Sequence, residues 1–495
     1  MRAIELLQAV RYEPAGEKIR FPDREISGVS LDSRDCREGS VFVCIRGSVC
    51  NGSRYAKEAV RHGAKVLVAA KEEQELIGKI LGQFPECEGV LVEDEREAAA
   101  LLAARYEGEP SRSMTMIGVT GTKGKTTTVS MIRKILSEAG IRTGMIGTTG
   151  QFDGKEHLPS EHTTPDAVTL QRSLARMRKN ACRACVMEVS SQALKLQRTK
   201  GICFDTGVFL NLGDDHIGRF EHADKEEYLA CKRKLFLQSR EAVVNADDPA
   251  WKQMLAGTGC PFQTFGIRNG DFRAVKIRTE SFVQGHPGVE FDIGKVHFQI
   301  PAPGIFTVYN ALAAVRVCMR YGVTPKTAAG SLLDFQVKGR MQFFSIPGGG
   351  EAVIDYAHNA MSLESVLTTL RAYRPARLIT VFGCGGQRAK ERRFQMGEVS
   401  GRLSDLTVIT SDNPRWEAPE AIMDDIETGV RKTDGKYLRI TDRKEAVKQA
   451  VEMAGPGDLV VIAGKGHENT QEIQGVFYRM DEQELVEEAC TQKLL

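Results

Sequence analysis

A chain of 495 residues is too long for one hydrophobic core, so two to four domains are expected. Its 42% hydrophobic and 27% charged residues are those of an ordinary globular protein, and a formal net charge of +2 gives no reason to invoke nucleic acid or an anionic membrane as a partner. No apolar run reaches the roughly 18 residues that span a bilayer, and residues 1–10, interrupted by Glu5, do not read as a signal peptide.

The 12 cysteines are scattered, mostly inside apolar strand-like runs, which suits reduced thiols in a cytoplasmic protein better than a disulfide framework. Cys182 and Cys185 form a CxxC with no second pair nearby, and are expected to be core and strand-edge residues. A soluble cytoplasmic monomer without membrane insertion is the expectation.

In chain order, short β-branched runs alternate with helical patterns, which indicates α/β layers around mostly parallel sheets. The first block has strand-like runs at 40–45, 64–69 and 89–92 and ends near the polar turn 107–113. The second opens at 114–120 and holds runs at 184–189, 205–212 and 242–245, a β-rich stretch over 279–300, and a helix over about 308–321. The third begins near Gly339 with runs at 352–356, 378–382, 406–410 and 459–463. The expected domains are 1–110, 111–336 and 337–495. In doubly wound sheets ligands gather beyond the carboxyl ends of the strands, so the residues following each run are the candidates for chemistry.

The run 116–119 leads into Thr120-Gly121-Thr122-Lys123-Gly124-Lys125-Thr126-Thr127-Thr128, then a helix with Val129, Ile132, Leu136 and Ala139 on one face and Gly140 as its stop. Gly121 and Gly124 let backbone N–H groups turn toward phosphate oxygens at the positive end of the helix. Lys125 would neutralise the β/γ-phosphates and the Thr126 hydroxyl would coordinate Mg²⁺. Val119 occupies the first glycine position of the general pattern. The loop predicts ATP binding without saying what the γ-phosphate is for, since kinases, hydrolases, motors and ligases share it.

The loop TGTKGKTT resembles that of the Mur ligase family, the enzymes that assemble the peptide of the bacterial cell-wall precursor. The resemblance continues through Glu188-Val189-Ser190-Ser191, Asn211-Leu212-Gly213-Asp214-Asp215-His216, Tyr228-Leu229-Ala230-Cys231-Lys232, Asn245-Ala246-Asp247-Asp248 and Asn310-Ala311-Leu312-Ala313-Ala314. Gly339-Arg340, Asp355-Tyr356-Ala357-His358 and Gly464-Lys465-Gly466-His467-Glu468 extend it over nearly the whole chain. Leu31-Asp32-Ser33-Arg34, residues 382–388 and Asp412-Asn413-Pro414-Arg415 resemble the member that adds the third peptide residue.

The resemblance implies a three-domain α/β protein. An N-terminal uridine-nucleotide domain and a C-terminal Rossmann-like domain flank a central phosphate-loop domain with a mostly parallel sheet. The implied reaction is phosphorylation of the D-glutamate γ-carboxylate of UDP-MurNAc-L-Ala-D-Glu by ATP, then attack on the acyl phosphate by the amino group of the incoming residue. Thr120, Gly121, Thr122, Lys123, Gly124, Lys125, Thr126 and Thr127 would hold the phosphates. Thr126 and Glu188 would serve one Mg²⁺, and His216 and Lys232, the latter as a carbamate, a second. A solvated strand end remains the alternative for Glu188, and a solvent-facing helix position for Lys232. Asn310 would meet the adenine, with Arg340, Asp355 and His358 reaching ribose or phosphates as the third domain closes.

Leu31, Ser33, Ser48, Val49 and Cys50 match uridine-site positions, and Thr163, Thr164, Ser190 and Arg198 positions around the muramoyl peptide. Arg388, Asp412, Asn413, Pro414, Arg415, Gly464 and Glu468 match the amino-acid site, with meso-diaminopimelate expected. L-Lysine has no distal carboxylate and is expected to leave Arg415 unpaired. An ordinary Asn-Pro turn is the alternative for 412–415. Gln192, Leu196, Thr307, Asn359-Ala360 and Thr470 depart from the family's usual residues. L-Lysine addition and a folylpolyglutamate synthetase-type ligase stay open as alternatives, the second opposed by the first block with its Asp32-Ser33-Arg34.

Overall fold

The computed structural model describes residues 1–47, 50–213, 218 and 222–493. Backbone packing divides them into two compact units, Met1–Arg273 with Tyr309–Ala328, and Ala274–Val308 with Ala329–Leu495.

The first unit carries two sheets. A five-stranded sheet runs in the order Glu13–Pro14, Glu88–Val92, Ala64–Ala70, Ser40–Val43, Gly28–Ser30, parallel except for its first strand. Val41, Val43, Val66, Val68, Val90 and Val92 turn one face of it onto Leu102 and Leu6. A nine-stranded sheet follows the order Phe272–Arg273, Phe262–Gly266, Ala242–Asn245, Thr206–Phe209, Thr115–Thr120, Ala184–Glu188, Thr143–Gly147, Gly150–Phe152, His157–Leu158. Its first seven strands are parallel and its last two form an antiparallel edge. The central strands are buried except at Thr115, as near-continuous apolar runs in a sheet covered on both faces should be.

The second unit holds an antiparallel sheet of Val275–Val283, His286–Ile293 and Val296–Ile300 and a two-stranded hairpin, Thr470–Ile473 with Val476–Arg479. Its main sheet is ordered Gln342–Ile346, Gly350–Asp355, Leu459–Ala463, Leu378–Phe382, Leu406–Ile409, Tyr437–Arg439, parallel apart from the first strand. Alternate residues feed opposite layers. Val353 and Val461 pack with Leu367 and Phe382 on one side, and Ile354, Val460 and Ile462 with Val447 and Val486 on the other.

The run read at 205–212 ends as a strand at Phe209, because the backbone beyond it bonds to a neighbouring loop. The helix expected over 308–321 spans Ile305–Met319. Cys182 and Cys185 are buried, and burial pushes both thiols up. Among the described residues no helix is long and apolar enough to cross a membrane.

Candidate nucleotide and amino-acid sites

Thr115–Thr120 lies between Thr206–Phe209 and Ala184–Glu188. Val119 pairs with Glu188 and Thr120 with Phe209, so three carboxyl ends finish level and their following residues meet. Residues 121–124 then turn into the helix Lys125–Glu138. Gly124 is left-handed at φ +87°, and a Cβ there would lie 2.4 Å from Asn310 Oδ1. Helices starting at Glu95, Ala167 and Lys225 are capped by Asp94, Asp166 and Asp224, whose carboxylates accept first-turn N–H groups. The Lys125 helix has Gly124 at its N-cap, so no side chain at that position accepts its first-turn N–H groups, the arrangement that suits an anion at a helix start.

Asn211 shapes the loop. Its Oδ1 accepts from Lys123 N at 2.9 Å, its Nδ2 donates to Lys123 O at 3.0 Å, and its carbonyl accepts from Thr122 N at 3.0 Å. The Lys125 ammonium folds back over the loop, donating to Gly121 O at 2.8 Å and Thr122 O at 3.1 Å. Lys232 Nζ donates to the same Gly121 oxygen at 2.9 Å and sits 4.5 Å from the Tyr228 ring centroid, whose hydroxyl is 3.1 Å from Thr122 Oγ1. At 1% exposure, Lys232 is no solvent-facing helix residue. Thr120 Oγ1, wholly buried at the loop's start, has no hydrogen-bond partner among the described residues.

Glu188 is also buried, so it is not a solvated strand end. Its carboxylate accepts from Thr148 N at 2.8 Å and Thr148 Oγ1 at 3.2 Å, and Thr163 Oγ1 stands 3.0 Å from the latter. Thr164 Oγ1 donates to Glu188 O at 2.8 Å and accepts from Ser190 N at 3.1 Å, while Arg198 Nη1 donates to Thr164 O at 2.6 Å. The structure therefore gathers Thr163, Thr164, Ser190 and Arg198 around Glu188. Asn310 is buried and accepts from Thr128 Oγ1 at 3.3 Å. The Asn245-Ala246-Asp247-Asp248 run is a bracket: Asn245 Nδ2 donates to Leu210 O at 2.9 Å and Asp248 Oδ2 accepts from Leu212 N at 2.9 Å, which holds the segment carrying Asn211.

Among the uridine-site candidates, Leu31 packs against the first core, Cys50 is exposed, and Ser33 Oγ donates to Glu58 at 2.9 Å. Ser48, Val49 and His216 lie outside the described residues.

In the second unit the polar candidates again sit at carboxyl ends of parallel strands. Asp355 accepts from Met341 N at 2.9 Å; burial pushes its carboxyl up, against the nearby Arg340 charge. The Arg340 guanidinium lies 4.6 Å from the Tyr356 ring centroid, and Tyr356 O is 2.8 Å from His358 Nδ1. Asn413, Glu468 and the wholly buried Lys465 form a closed set, with Lys465 Nζ 2.9 Å from Asn413 Oδ1 and 3.0 Å from Glu468 Oε2. Asn413 Nδ2 donates to that same carboxylate oxygen at 3.1 Å. Arg388 and Arg415 flank Gly385, since a Cβ built there would lie 3.8 Å from Arg388 Cγ and 3.2 Å from Arg415 Nη1. Gly464 adjoins Asp412 in the same way, at 2.9 Å from Asp412 Oδ2, and Pro414 is buried below Gly386.

One expectation fails. Arg415 needs no substrate to be paired, because its Nε contacts Glu472 Oε2 at 3.1 Å and its Nη1 donates to Gly386 O at 2.6 Å. Sequence reasoning also missed Thr148, Asn211 and Lys465 as site residues, although Asn211 and Lys465 stood inside runs already singled out.

Comparison with known proteins accounts for both units. Residues 25–107 match the Mur ligase family catalytic domain, 119–318 the Mur ligase middle domain and 339–466 the Mur ligase glutamate ligase domain. A UDP-N-acetylmuramoyl-L-alanyl-D-glutamate–2,6-diaminopimelate ligase of Clostridium botulinum is 36% identical over 95% of this chain and 96% of its own length. One of the same name from Chlorobaculum tepidum is 39% identical over 94% and 92%. A solved structure under that name superposes with a TM-score of 0.68 at 28% identity, covering all of both chains. The chain belongs to the Mur ligase family.

Proposed function

We propose that the chain is an ATP-dependent amide ligase that adds meso-diaminopimelate to the D-glutamate γ-carboxylate of UDP-MurNAc-L-Ala-D-Glu, in the cytoplasm and as a monomer. The observation that carries the reading is the meeting of Lys125 and Lys232 at one loop carbonyl, beside buried Glu188, in a chain closely similar to ligases of that name. Domain limits at 110 and 336 are part of the proposal, supported by the separate sheets and by the three matched stretches.

The chemistry runs in two steps. The γ-carboxylate attacks the γ-phosphorus of ATP, giving an acyl phosphate and ADP. The incoming amine then attacks the acyl carbon, forming the amide, losing a proton and expelling phosphate. N–H groups at the start of the Lys125 helix and the Lys125 ammonium hold the phosphates and offset their charge, which is the main demand of phosphoryl transfer. Hard oxygen donors at Thr126 and Glu188, with the orphaned Thr120 hydroxyl nearby, fit Mg²⁺. When bound, that ion would neutralise phosphate charge. As a carbamate, Lys232 would keep one N–H for Gly121 O while turning a like-charge contact with Lys125 into an opposite-charge one. That modification and a second ion on His216 rest on the family resemblance.

Thr163, Thr164, Ser190 and Arg198 are assigned to the muramoyl peptide, Leu31, Ser33, Ser48, Val49 and Cys50 to uridine, and Asn310, Arg340, Asp355 and His358 to ATP. Arg388, Arg415, Asn413 and Glu468, with Asp412, Pro414 and Gly464, are assigned to the amino acid. L-Lysine is the second reading, favoured by the pairing of Arg415 with Glu472. The test is incubation with ATP, Mg²⁺ and UDP-MurNAc-dipeptide, offering each amino acid separately, with the product weighed. A diaminopimelate adduct is expected; no adduct with either would end the ligase reading.

A further inference from the structure

Arg415 is not in an ordinary loop conformation. It has φ +55°, a left-handed region that L side chains rarely adopt, so something must hold it there. The hairpin Thr470–Ile473 with Val476–Arg479 does so. Arg415 N donates to Glu472 O at 3.1 Å, and Gln474 N donates to Arg415 O at 2.7 Å. Glu472 N donates to Asn413 Oδ1 at 2.9 Å, and Gln471 Nε2 to Asp412 O at 2.6 Å. The hairpin is thus bonded to residues 412, 413 and 415 of one loop.

On that frame the Glu472 carboxylate takes the Nε side of Arg415, and the Gly386 carbonyl takes Nη1. Nη2 makes no hydrogen bond among the described residues, and the side chain keeps 21% of its exposure. A guanidinium held at two of its three nitrogens is a pre-set fork: its plane is already chosen, so a ligand carboxylate meeting Nη2 orders little. Glu468 lies on the other side of Asn413, held by Lys465, so a second carboxylate is available to an ammonium group.

We propose that Glu472 is a positioning residue that sets specificity: it orients Arg415 to select an amino acid carrying a distal carboxylate. This inference rests on the assignment of the amino-acid site made above. Glu472 acts through Arg415 and touches no substrate itself.

Steady-state kinetics of full-length wild type, Glu472→Gln and Arg415→Lys with meso-diaminopimelate and with L-lysine tests it. Glu472→Gln keeps the side-chain shape and loses the charge that holds Nε. Its KM for diaminopimelate is expected to rise about tenfold, the scale of one charge-assisted hydrogen bond, with kcat within about twofold and L-lysine use unchanged. Arg415→Lys keeps the positive charge but has no Nε edge to be held, and should lose the same selectivity; it also serves if the first variant does not fold. An unchanged KM for diaminopimelate overturns the proposal, as does an equal loss with both amino acids, which marks a structural role. A lowered KM for diaminopimelate, or wild type that uses L-lysine alone, overturns it by making Glu472 a neutralising competitor. A wild type that forms no amide at all sinks the ligase reading instead.

Discussion

Lys125 and Lys232, 107 positions apart in the chain, donate to the same Gly121 carbonyl oxygen at 2.8 and 2.9 Å. One comes from the helix the loop opens into and the other from the helix Lys225–Leu237, so the loop is pinned from both sides. Replacing Lys232 by Met isolates its chemical role. Gly121 O keeps Lys125 as its donor in that variant, so the loop stays pinned from the helix it opens into. Turnover should nevertheless fall about 100-fold or more, as when a preorganised charged group is removed. Amide formation and thermal unfolding, measured on one preparation, check this; near-normal turnover would leave Lys232 a structural residue.

Two left-handed glycines bound the loop's helix, and they separate strain from function. Gly124→Ala adds about 1–2 kcal/mol of backbone strain and a Cβ 2.4 Å from Asn310 Oδ1. Gly140→Ala, at φ +81°, adds similar strain but meets nothing within 4 Å. Calorimetric titration with ADP should show at least about a tenfold loss of affinity for the first and none for the second. Equal behaviour of the two would mean that the loop does not hold the nucleotide.

Acid should unfasten the turn 267–269 from Asp247. Burial alone would push the Asp247 carboxyl up, but N–H groups of Ile267, Arg268 and Asn269 and the Tyr309 hydroxyl hold it down at about 2. The depressed group contributes stability above its unfolded value of about 3.9, and that contribution is lost as pH falls through about 2. With solvent screening allowed for, about 1 kcal/mol is at stake. Urea midpoints between about pH 5 and 2 should fall more steeply for wild type than for Asp247→Asn. Parallel curves would count against the carboxylate's role.

What could be read in advance follows from the range of the interactions. The phosphate loop is encoded locally, by glycines whose backbone must turn and by a lysine one step into a helix. The strands Ala242–Asn245, Leu378–Phe382 and Leu459–Ala463 match their apolar runs to the residue, because both faces of those strands are buried. The strand read at 205–212 was too long: Leu210 N still bonds to Thr120 O of the neighbouring strand, but Asn211 turns its carbonyl and amide onto Thr122 and Lys123 of the loop. Glu472 carried no signal at all, since its partner Arg415 is 57 residues away and only folding brings them together. With that contact in place, L-lysine would not leave Arg415 unpaired.

Arg443 and Glu482 form a wholly buried pair, Nη2 to Oε1 at 2.5 Å and Nε to Oε1 at 2.9 Å. Arg443 also donates to Ala463 O at 2.8 Å and Ser411 O at 3.3 Å. Those carbonyls lie just ahead of Gly464 and Asp412, so the pair anchors the strand ends beneath the amino-acid site. Arg443→Met strands the Glu482 carboxylate in the core and should cost about 3–5 kcal/mol. The double change Arg443→Met with Glu482→Leu should recover most of it, because a buried pair is worth little against apolar packing of similar volume. Both variants lose the two bonds from Arg443 to those carbonyls, however, so the KM for the amino acid should remain raised even where stability returns. Urea denaturation and amino-acid kinetics on the single and double variants decide the point. A double variant as unstable as the single one would show that Arg443 acts through its carbonyl contacts alone, whereas one restored in both stability and KM would detach the pair from the site.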